Sequence, residues 1–199
     1  MDFSMFQQSI TLSGKYIQLL PLSQDHAHDL LIAGRDESLW KYMPIPPLKR
    51  VEDVQNMIAC ALDEKNLRRE FAFAIVSKKM GKAIGSTRLY DIREKDKTLE
   101  IGWIWIAKDY QRTAVNTETK LLLLKYCFET LGLIRVQFKT DARNLQSQNA
   151  LERLGAKREG ILRKNRICWD GFIRDTVYYS ILAEEWPEVR STLHERVSA

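Results

Sequence analysis

The chain has 199 residues, of which 45% are hydrophobic and 29% charged, and its formal net charge is +5. This length and balance fit a single globular domain over residues 1–199, with a substantial core. No window approaches the roughly 18 continuous apolar residues that a membrane helix needs, and the opening MDFSMFQQSI lacks the basic and then apolar pattern of a signal peptide, so we expect a cytoplasmic protein without a membrane partner.

The first third of the chain predicts one strand followed by helices. Alternation over Lys15–Pro21 is typical of a strand. Residues 25–35 and 37–42 have helical patterns that end before the prolines at 44–47. Over residues 51–68, apolar side chains recur at helical spacing and predict a longer helix, with its inner face at Val51, Val54, Met57 or Ile58, and Ala61 or Leu62.

The middle of the chain predicts three strands and a crossover. The strands are expected at residues 71–77, 83–92 and 98–107, the first two joined by a turn at 78–81. A leucine-rich helix is predicted over Thr117–Leu131 and ends at Gly132, a typical left-handed cap. The β-rich stretch 134–140 follows directly, so the strands on either side of this helix should pair in parallel.

The last third predicts a short helix, a hairpin and a terminal helix. The short helix covers residues 146–154 and stops at Gly155. Strands at 157–169 and 172–182 flank Asp170-Gly171, a strong two-residue hairpin signal. A terminal helix is predicted at about 184–197. The whole order predicts an α/β fold with a mixed, mostly antiparallel sheet and one parallel crossover near its middle.

Charge and cysteine content limit the classes of partner. The basic residues are spread along the chain, which argues against a dedicated nucleic-acid face and leaves an anionic small molecule as the simpler partner. The cysteines, Cys60, Cys127 and Cys168, form no C-x-x-C pair, so we expect free thiols in or near the core. The three histidines are scattered and predict no metal site.

The turn between the third strand and the leucine-rich helix, Gln111–Thr117, is the first candidate site. A helix N-terminus carries unpaired N–H donors and a partial positive charge, so it can bind an anion. Asn116 and Thr117 are good capping residues, and Arg112 and Thr113 add donors of their own. An ordinary strand-to-helix connection explains the same residues equally well.

Four stretches resemble the GNAT acetyltransferase superfamily, in particular the branch of ribosomal-protein N-terminal acetyltransferases (RimJ/RimL-like). They cover most of the chain between Lys15 and Trp186: YIQLLPLSQDHAHDL from Tyr16, LEIGWIWIAKDYQRTAVNTE from Leu99, TDARNLQSQNALERLGAKREGILR from Thr140, and DGFIRDTVYYSILAEEW from Asp170. The resemblance implies helices on both faces of the sheet and a parallel β-α-β crossover that forms a wedge for acetyl-CoA, with no metal.

The resemblance assigns the turn to the pyrophosphate of coenzyme A. In the family, backbone amides of a Gln/Arg-x-x-Gly-x-Gly/Ala segment hold that group; here the segment would be Gln111, Arg112, Thr113, Ala114, Val115, Asn116 and Thr117. Gln111 matches the first position, whereas Ala114 and Asn116 replace small residues that are usually glycine. Glycine matters where φ is positive or where the backbone approaches a ligand closely, so the departure puts the closeness of the phosphates in question.

The resemblance also places pantetheine between two strands. Ile104, Trp105 and Ile106 would supply the backbone groups, with residues 134–140 as the neighbouring strand. Glu100 would be the general base, since the attacking amine must be neutral; a solvated residue at a strand end is the alternative.

At the short helix, Asn144 would bond the pantetheine arm and Ser147 would lie near the sulfur, although either could simply cap the helix. No tyrosine stands between Asn144 and Gly155 to protonate the leaving thiolate, so Ser147 or water would do so.

We therefore interpret the chain as an acetyl-CoA-dependent N-acetyltransferase that acts by direct attack of an amine on the thioester. The acceptor would be a protein N-terminus or a small-molecule amine, and a homodimer is compatible with this class. Two alternatives stay open: a non-catalytic module that binds coenzyme A or acyl-CoA, suggested by the altered turn and the missing tyrosine, and a nucleic-acid-binding protein, suggested only by charge.

Overall fold

The computed structural model describes residue 6 and residues 10–198. Most of the stretch used to argue against a signal peptide therefore lies outside the described residues. The strands of the protein are β1 (Leu12–Ser13), β2 (Ile17–Pro21), β3 (Glu70–Ser77), β4 (Lys82–Arg93), β5 (Thr98–Ile106), β6 (Arg135–Asp141), β7 (Lys157–Ile167) and β8 (Ile173–Leu182). Its α-helices are α1 (Ala27–Ala33), α2 (Val51–Asn66), α3 (Ala114–Lys125), α4 (Leu145–Leu154) and α5 (Trp186–Ser198).

The strands form one eight-stranded sheet in the order β1-β2-β3-β4-β5-β6-β8-β7. The β5–β6 pair is parallel, and α3 connects its two strands; the other neighbouring strands are antiparallel. This is the predicted mixed α/β sheet with one parallel crossover, so the fold class is confirmed.

Alternation along β3 shows how the sheet is covered on both faces. Phe71, Phe73 and Ile75 pack into a core with α3, α4 and α5. Ala72 and Ala74, which point the other way, pack into a second core with α1 and α2. Since successive side chains of a strand point to opposite faces, the predicted placement of helices on both faces is confirmed.

One turn and the bounds of one helix differ from prediction. The hairpin between β7 and β8 uses a three-residue connection, because the Cys168 amide donates to the Phe172 carbonyl at 2.8 Å. Gly171, at φ +81°, takes the left-handed position that such a loop requires. The leucine-rich helix begins three residues earlier than predicted, at Ala114, and continues beyond Lys125 as one π-helical segment, Tyr126–Thr130.

The cysteine prediction was only partly correct. Cys127 is buried and Cys168 half-buried, but Cys60 is exposed. The helical period explains this, because it turns Met57, Ile58 and Ala61 of α2 inwards and leaves residue 60 facing solvent.

Glu118, on α3, ties the entry of β2 to the helix. Its buried carboxylate accepts the backbone amides of Lys15, of Tyr16 at 2.8 Å and of Ile17 at 2.9 Å. Charge-assisted bonds of this kind are stronger than neutral ones, so Glu118 secures the N-terminal strands against the crossover.

We expect Glu118→Gln to lower the free energy of unfolding by about 2 kcal/mol, because the amide offers a single acceptor oxygen and leaves a partly buried N–H without its partner. Urea unfolding followed by circular dichroism measures this. Glu195→Gln, at an exposed position of α5, is the control and should change stability by less than about 0.5 kcal/mol. Equal stability of the two variants would contradict this role of Glu118.

Candidate active site

The parallel strands β5 and β6 separate and open a cleft. Their pairing covers only Thr98–Glu100 with Arg135–Gln137, although β5 continues to Ile106 and β6 to Asp141. Beyond these pairs lies a cleft of about 540 Å³, bordered by residues 101–106 of β5 and 138–141 of β6, by the turn before α3 and by the start of α4. The apex of this wedge is therefore near Ile101 and Phe138.

A β-bulge redirects β5 where it borders the cleft. Arg88 pairs with Gly102 but Ser86 pairs with Trp105, so Thr87 faces two residues of β5. Trp103 has φ +53°, a conformation that strains a large side chain. Gly102 is required here, because a Cβ on it would lie 2.8 Å from the Tyr90 ring. The bulge thus breaks the ladder beside the cleft, a feature that sequence reasoning missed.

The left-handed residue of the turn before α3 is not at either of the two positions, Ala114 and Asn116, where the family usually has glycine. Arg112 is left-handed at φ +59°, whereas Ala114 and Asn116 are already helical. Neither of these two positions therefore needs glycine for its backbone angle. The helix cap also differs: it is Thr113, whose hydroxyl accepts the Val115 amide at 3.3 Å, and not Asn116 or Thr117.

Side chains of this turn are used partly to hold its own shape. Gln111 donates its amide to the Ile106 carbonyl at 3.3 Å and joins the turn to β5. The Thr113 hydroxyl donates to the Tyr110 carbonyl at 2.7 Å, so it has no further proton to offer a ligand. The first-turn amides of α3 other than Val115 have no intrahelical acceptor, which leaves backbone donors at this end of the cleft.

The start of α4 forms the facing wall. Asn144 caps the helix, with its side-chain oxygen accepting the Ser147 amide at 3.0 Å. Asn144 and Ser147 both line the cleft, and the cap uses neither the side-chain N–H groups of Asn144 nor the hydroxyl of Ser147. Capping and ligand binding are therefore compatible at Asn144.

Glu100 lies behind the cleft in a polar network. It is fully buried, and Lys139 forms an ion pair with its Oε2 at 2.6 Å. Gln137 donates to the same oxygen at 3.0 Å, and the Tyr90 hydroxyl donates to Oε1. Of these groups, Tyr90 and Lys139 line the cleft, whereas Glu100 does not. The alternative that Glu100 is a solvated residue at a strand end is therefore wrong. Any proton that reaches Glu100 from the cleft must pass through a neighbouring side chain.

The network fixes the protonation of both neighbours. Burial, together with the charge of Glu100, raises the pKa of Tyr90 far above its usual value, so the phenol stays protonated. Burial alone would lower the pKa of Lys139, but the hydrogen bond and charge of Glu100 outweigh it and leave that pKa raised. Tyr90 thus lines the cleft as a residue and carries a hydroxyl that donates to a buried carboxylate.

The cleft is strongly basic. Eight cationic side chains, called the basic set below, line it against one acidic residue, Asp141, which is paired with Arg143 at 2.7 Å. Four belong to the crossover region: Lys108, Arg112, Lys120 and Lys139. The other four come from α4, the final hairpin and α5: Arg153, Arg166, Arg174 and Arg196. Such a lining attracts a polyanion.

The structure brings most of the predicted site residues together. Those lining the cleft are Ile104, Trp105, Ile106, Gln111, Arg112, Asn116, Thr117, Asn144 and Ser147. Thr113, Ala114 and Val115 do not line it with their side chains, and Val115 is part of the core.

Sequence reasoning missed Tyr90, Lys139 and Lys120. The helical spacing does not single out Lys120, since Lys120 and Lys125 both lie three or four residues from apolar positions of the leucine-rich helix. The positions of Tyr90 and Lys139 depended on strand register.

Other candidate sites are weaker. Within residue 6 and residues 10–198, no group of three His, Cys, Asp or Glu side chains is placed to hold a metal ion. No helix in this part of the chain is long and apolar enough to cross a membrane. A wide, open depression borders β7 residues 161–165, with no contribution from another element.

Comparison with known proteins agrees with this geometry. The family model "Acetyltransferase (GNAT) domain" matches residues 17–157. The "Putative ribosomal N-acetyltransferase YdaF" of Bacillus subtilis is 34% identical over 106 residues, which is 53% of this chain and 57% of that protein, just over half of its length.

Solved structures give the same result. A GCN5-related N-acetyltransferase from Brucella melitensis superposes with a TM-score of 0.89 at 27% identity, covering 96% of this chain and 86% of its own. Mycobacterium smegmatis RimJ, in complex with CoA-disulfide, has a TM-score of 0.82 at 20% identity and 94% coverage of both chains, and shows the fold alone.

Proposed function

Because the chain belongs to the GNAT acetyltransferase family, whose domain model matches residues 17–157, we propose that it is an N-acetyltransferase that moves an acetyl group from acetyl-CoA to a primary amine. In this proposal the whole chain, 1–199, is one such domain. The RimJ/RimL-like branch is supported by the similarity to a protein named as a ribosomal N-acetyltransferase.

The observation that carries the proposal is the basic cleft between β5 and β6. It joins a slot between two strands to a helix N-terminus and to eight cations. Acetyl-CoA combines a narrow arm that carries amides with a pyrophosphate and a further phosphate, so one end suits strand backbone and the other suits cations and free amides. We assign the arm to Ile104, Trp105, Ile106 and Asn144, and the pyrophosphate to the turn Gln111–Thr117.

The thioester supplies an activated acetyl group, and the chain supplies positioning and proton transfer. Backbone N–H groups of β5 at the bulge polarise the carbonyl oxygen. The amine attacks the carbonyl carbon directly, and its proton passes through Tyr90 to Glu100, since the phenol can accept at oxygen while donating to the carboxylate. Glu100 is thus the base through a relay, and holding both reactants in one cleft supplies much of the rate.

The acceptor is proposed to be the N-terminus of a protein, on the strength of the relative's name; a small-molecule amine is the other candidate within the same chemistry. The acceptor would enter between the α1–α2 segment and the final hairpin, where residues 38–39, 42–44, Arg166 and Arg174 line the cleft.

A turnover assay distinguishes an acetyltransferase from a non-catalytic module that only binds coenzyme A. Purified protein, acetyl-CoA and a panel of peptides and amines are monitored for thiol release, with the acetylated product identified by mass spectrometry. Turnover on any acceptor supports the proposal. Tight coenzyme A binding with no turnover on the whole panel would establish the non-catalytic module instead.

Arg112 offers a test of the turn. We expect Arg112→Ala and Arg112→Gly both to raise the Kd for acetyl-CoA by about 3- to 10-fold, since each removes one cation from the mouth of a polyanion site. The glycine variant should be more stable than the alanine variant by about 1 kcal/mol, because only alanine keeps the strain of φ +59°. Calorimetric titration and thermal melts measure the two effects. Unchanged affinity in both variants would remove Arg112 from the site.

A further inference from the structure

Lys120, on α3, is a buried cation without an anionic partner. Its residue is 7% exposed, and no carboxylate between residues 10 and 198 forms an ion pair with it. Its ammonium lies 4.6 Å from the centroid of the Phe138 ring. Because a buried charge is costly unless it is paired, an unpaired lysine is retained at a stability penalty, and a functional role explains why it is there.

The position of Lys120 is the apex of the wedge. Phe138 is the first residue of β6 beyond its pairing with β5, and Lys120 lines the cleft with it. From the turn that we assign to the pyrophosphate, Lys120 lies about one helical turn further into α3, on the side of Asn116. The inner end of the cofactor arm, with its sulfur, therefore comes nearest to this ammonium.

The opposite wall lacks a proton donor of matching strength. Along α4 the cleft is lined by Gln146, Ser147, Ala150, Leu151, Arg153 and Leu154. Amides, hydroxyls and guanidinium groups are ordinarily much weaker acids than a thiol. Tyr90 is occupied by Glu100. A thiolate leaving at the apex needs a proton, and the neighbouring donors do not supply one readily.

We propose that Lys120 is the general acid of the reaction and that its ammonium donates a proton to the coenzyme A sulfur as the C–S bond breaks. The proposal rests on the acetyltransferase function. The C–N bond forms at the carbonyl carbon, and the electron pair of the C–S bond leaves with sulfur. The amine loses its proton to the Tyr90–Glu100 network, the thiolate takes the proton of Lys120, and Lys120 regains one from solvent.

Burial supports this role, because it lowers the pKa of Lys120 to about 8, close to that of a thiol. The other charged and titratable groups lining the same cleft are the rest of the basic set, Tyr42, Tyr90 and Asp141. The cations can only reinforce the lowering of the Lys120 pKa. The protonated form is the active one, so kcat should fall as pH rises through the pKa of Lys120, while the need for a neutral amine sets the separate limb at lower pH.

The test compares Lys120→Met with the control Lys125→Met, at an exposed position of the same helix. For Lys120→Met we expect kcat to fall by about 10- to 100-fold, the Kd for acetyl-CoA to stay within about 3-fold, the fall of kcat above pH 8 to disappear, and the melting temperature not to decrease. Lys125→Met should match the parent in all four. Lys120→Arg separates charge from proton transfer, since arginine keeps the charge but does not release a proton; it should stay as slow as the methionine variant.

A readout independent of turnover is the ¹⁵N NMR titration of the Lys120 side chain, assigned with the methionine variant. The Nζ resonance should titrate near pH 8 in the free protein and move when coenzyme A is added.

Three results would overturn the proposal: unchanged kcat in Lys120→Met, recovery of kcat in Lys120→Arg, or an Nζ resonance indifferent to coenzyme A. These leave the proposed function intact if the parent protein is active. If the parent protein bound acetyl-CoA but acetylated no acceptor, both the proposed acetyltransferase function and the role of Lys120 in proton transfer would be wrong.

Discussion

We expect the replacement of Glu100 with glutamine to lower kcat/KM for acetyl transfer by about 1,000-fold. General bases contribute roughly 10²- to 10⁴-fold, and Glu100 is the buried carboxylate to which the Tyr90 hydroxyl donates. Tyr90→Phe interrupts the same relay without touching Glu100, so it should lose activity to a similar extent. Steady-state kinetics on an acceptor found in the panel, with acetyl-CoA affinity measured separately, gives both values.

The ion pair with Lys139 requires a matched control. Glu100→Gln leaves the Lys139 ammonium, 2.6 Å away in the parent, without its carboxylate, and that alone could disturb the cleft. The double variant Glu100→Gln/Lys139→Met restores the balance of charge. If it stays inactive, Glu100 takes the proton; if it regains activity, Glu100 serves only to neutralise Lys139, and the assignment of the base is wrong.

Glu70→Gln should lower the free energy of unfolding by about 3 to 5 kcal/mol. Glu70 and Arg88 form a buried ion pair at 2.6 Å, and removing one partner leaves an uncompensated charge. Burial raises the pKa of Glu70 despite the attraction of Arg88, and it lowers the pKa of Arg88 despite the attraction of Glu70. Both partners therefore carry a desolvation penalty that the pairing offsets only in part.

The substitution of Glu70 should also affect the cleft between β5 and β6. The Arg88 guanidinium lies 4.1 Å from the centroid of the Trp103 ring, and Trp103 is the strained residue of the bulge, so the variant should bind acetyl-CoA more weakly at temperatures where it remains folded. Glu37→Gln removes one partner of the exposed Glu37–Lys49 pair and should change stability by less than about 1 kcal/mol. Similar urea midpoints for the two variants would contradict this interpretation.

The order of elements was predictable because the periodicity of apolar residues changes clearly along the chain. Alternation predicted every strand of the sheet except the short β1, and helical spacing predicted the crossover helix. Gly132 and Gly155 marked helix ends correctly, at φ +62° and +94°. Local patterns are sufficient there, because each depends on neighbours in the sequence.

The turn before α3 was less predictable. Asn116 and Thr117 have the residue types of a cap, but Thr113 has the same preference and comes earlier in the chain. It caps the helix, which therefore begins at Ala114. Placing the left-handed residue at Arg112 required the three-dimensional path of the chain, since arginine carries no signal for that conformation.

The chemistry around Glu100 was only half visible in the sequence. A single acidic residue in an apolar strand marks a position of interest, but its partners come from β4 and β6, at sequence separations of 10 and 37 residues for Tyr90 and Gln137. Strand register decides which side chains face each other, and it pairs Glu100 with Tyr90 on β4 and with Gln137 on β6.

The most direct test of the account is hydrogen–deuterium exchange with and without acetyl-CoA, read by mass spectrometry. We predict slower exchange in peptides covering β5 and the turn, residues 103–116, and in those covering residues 140–147 at the start of α4. Peptides from α2 should not change. Protection confined to β7 and its open depression, or no protection at residues 103–116 under saturating acetyl-CoA, would contradict the placement of the cofactor between β5 and β6.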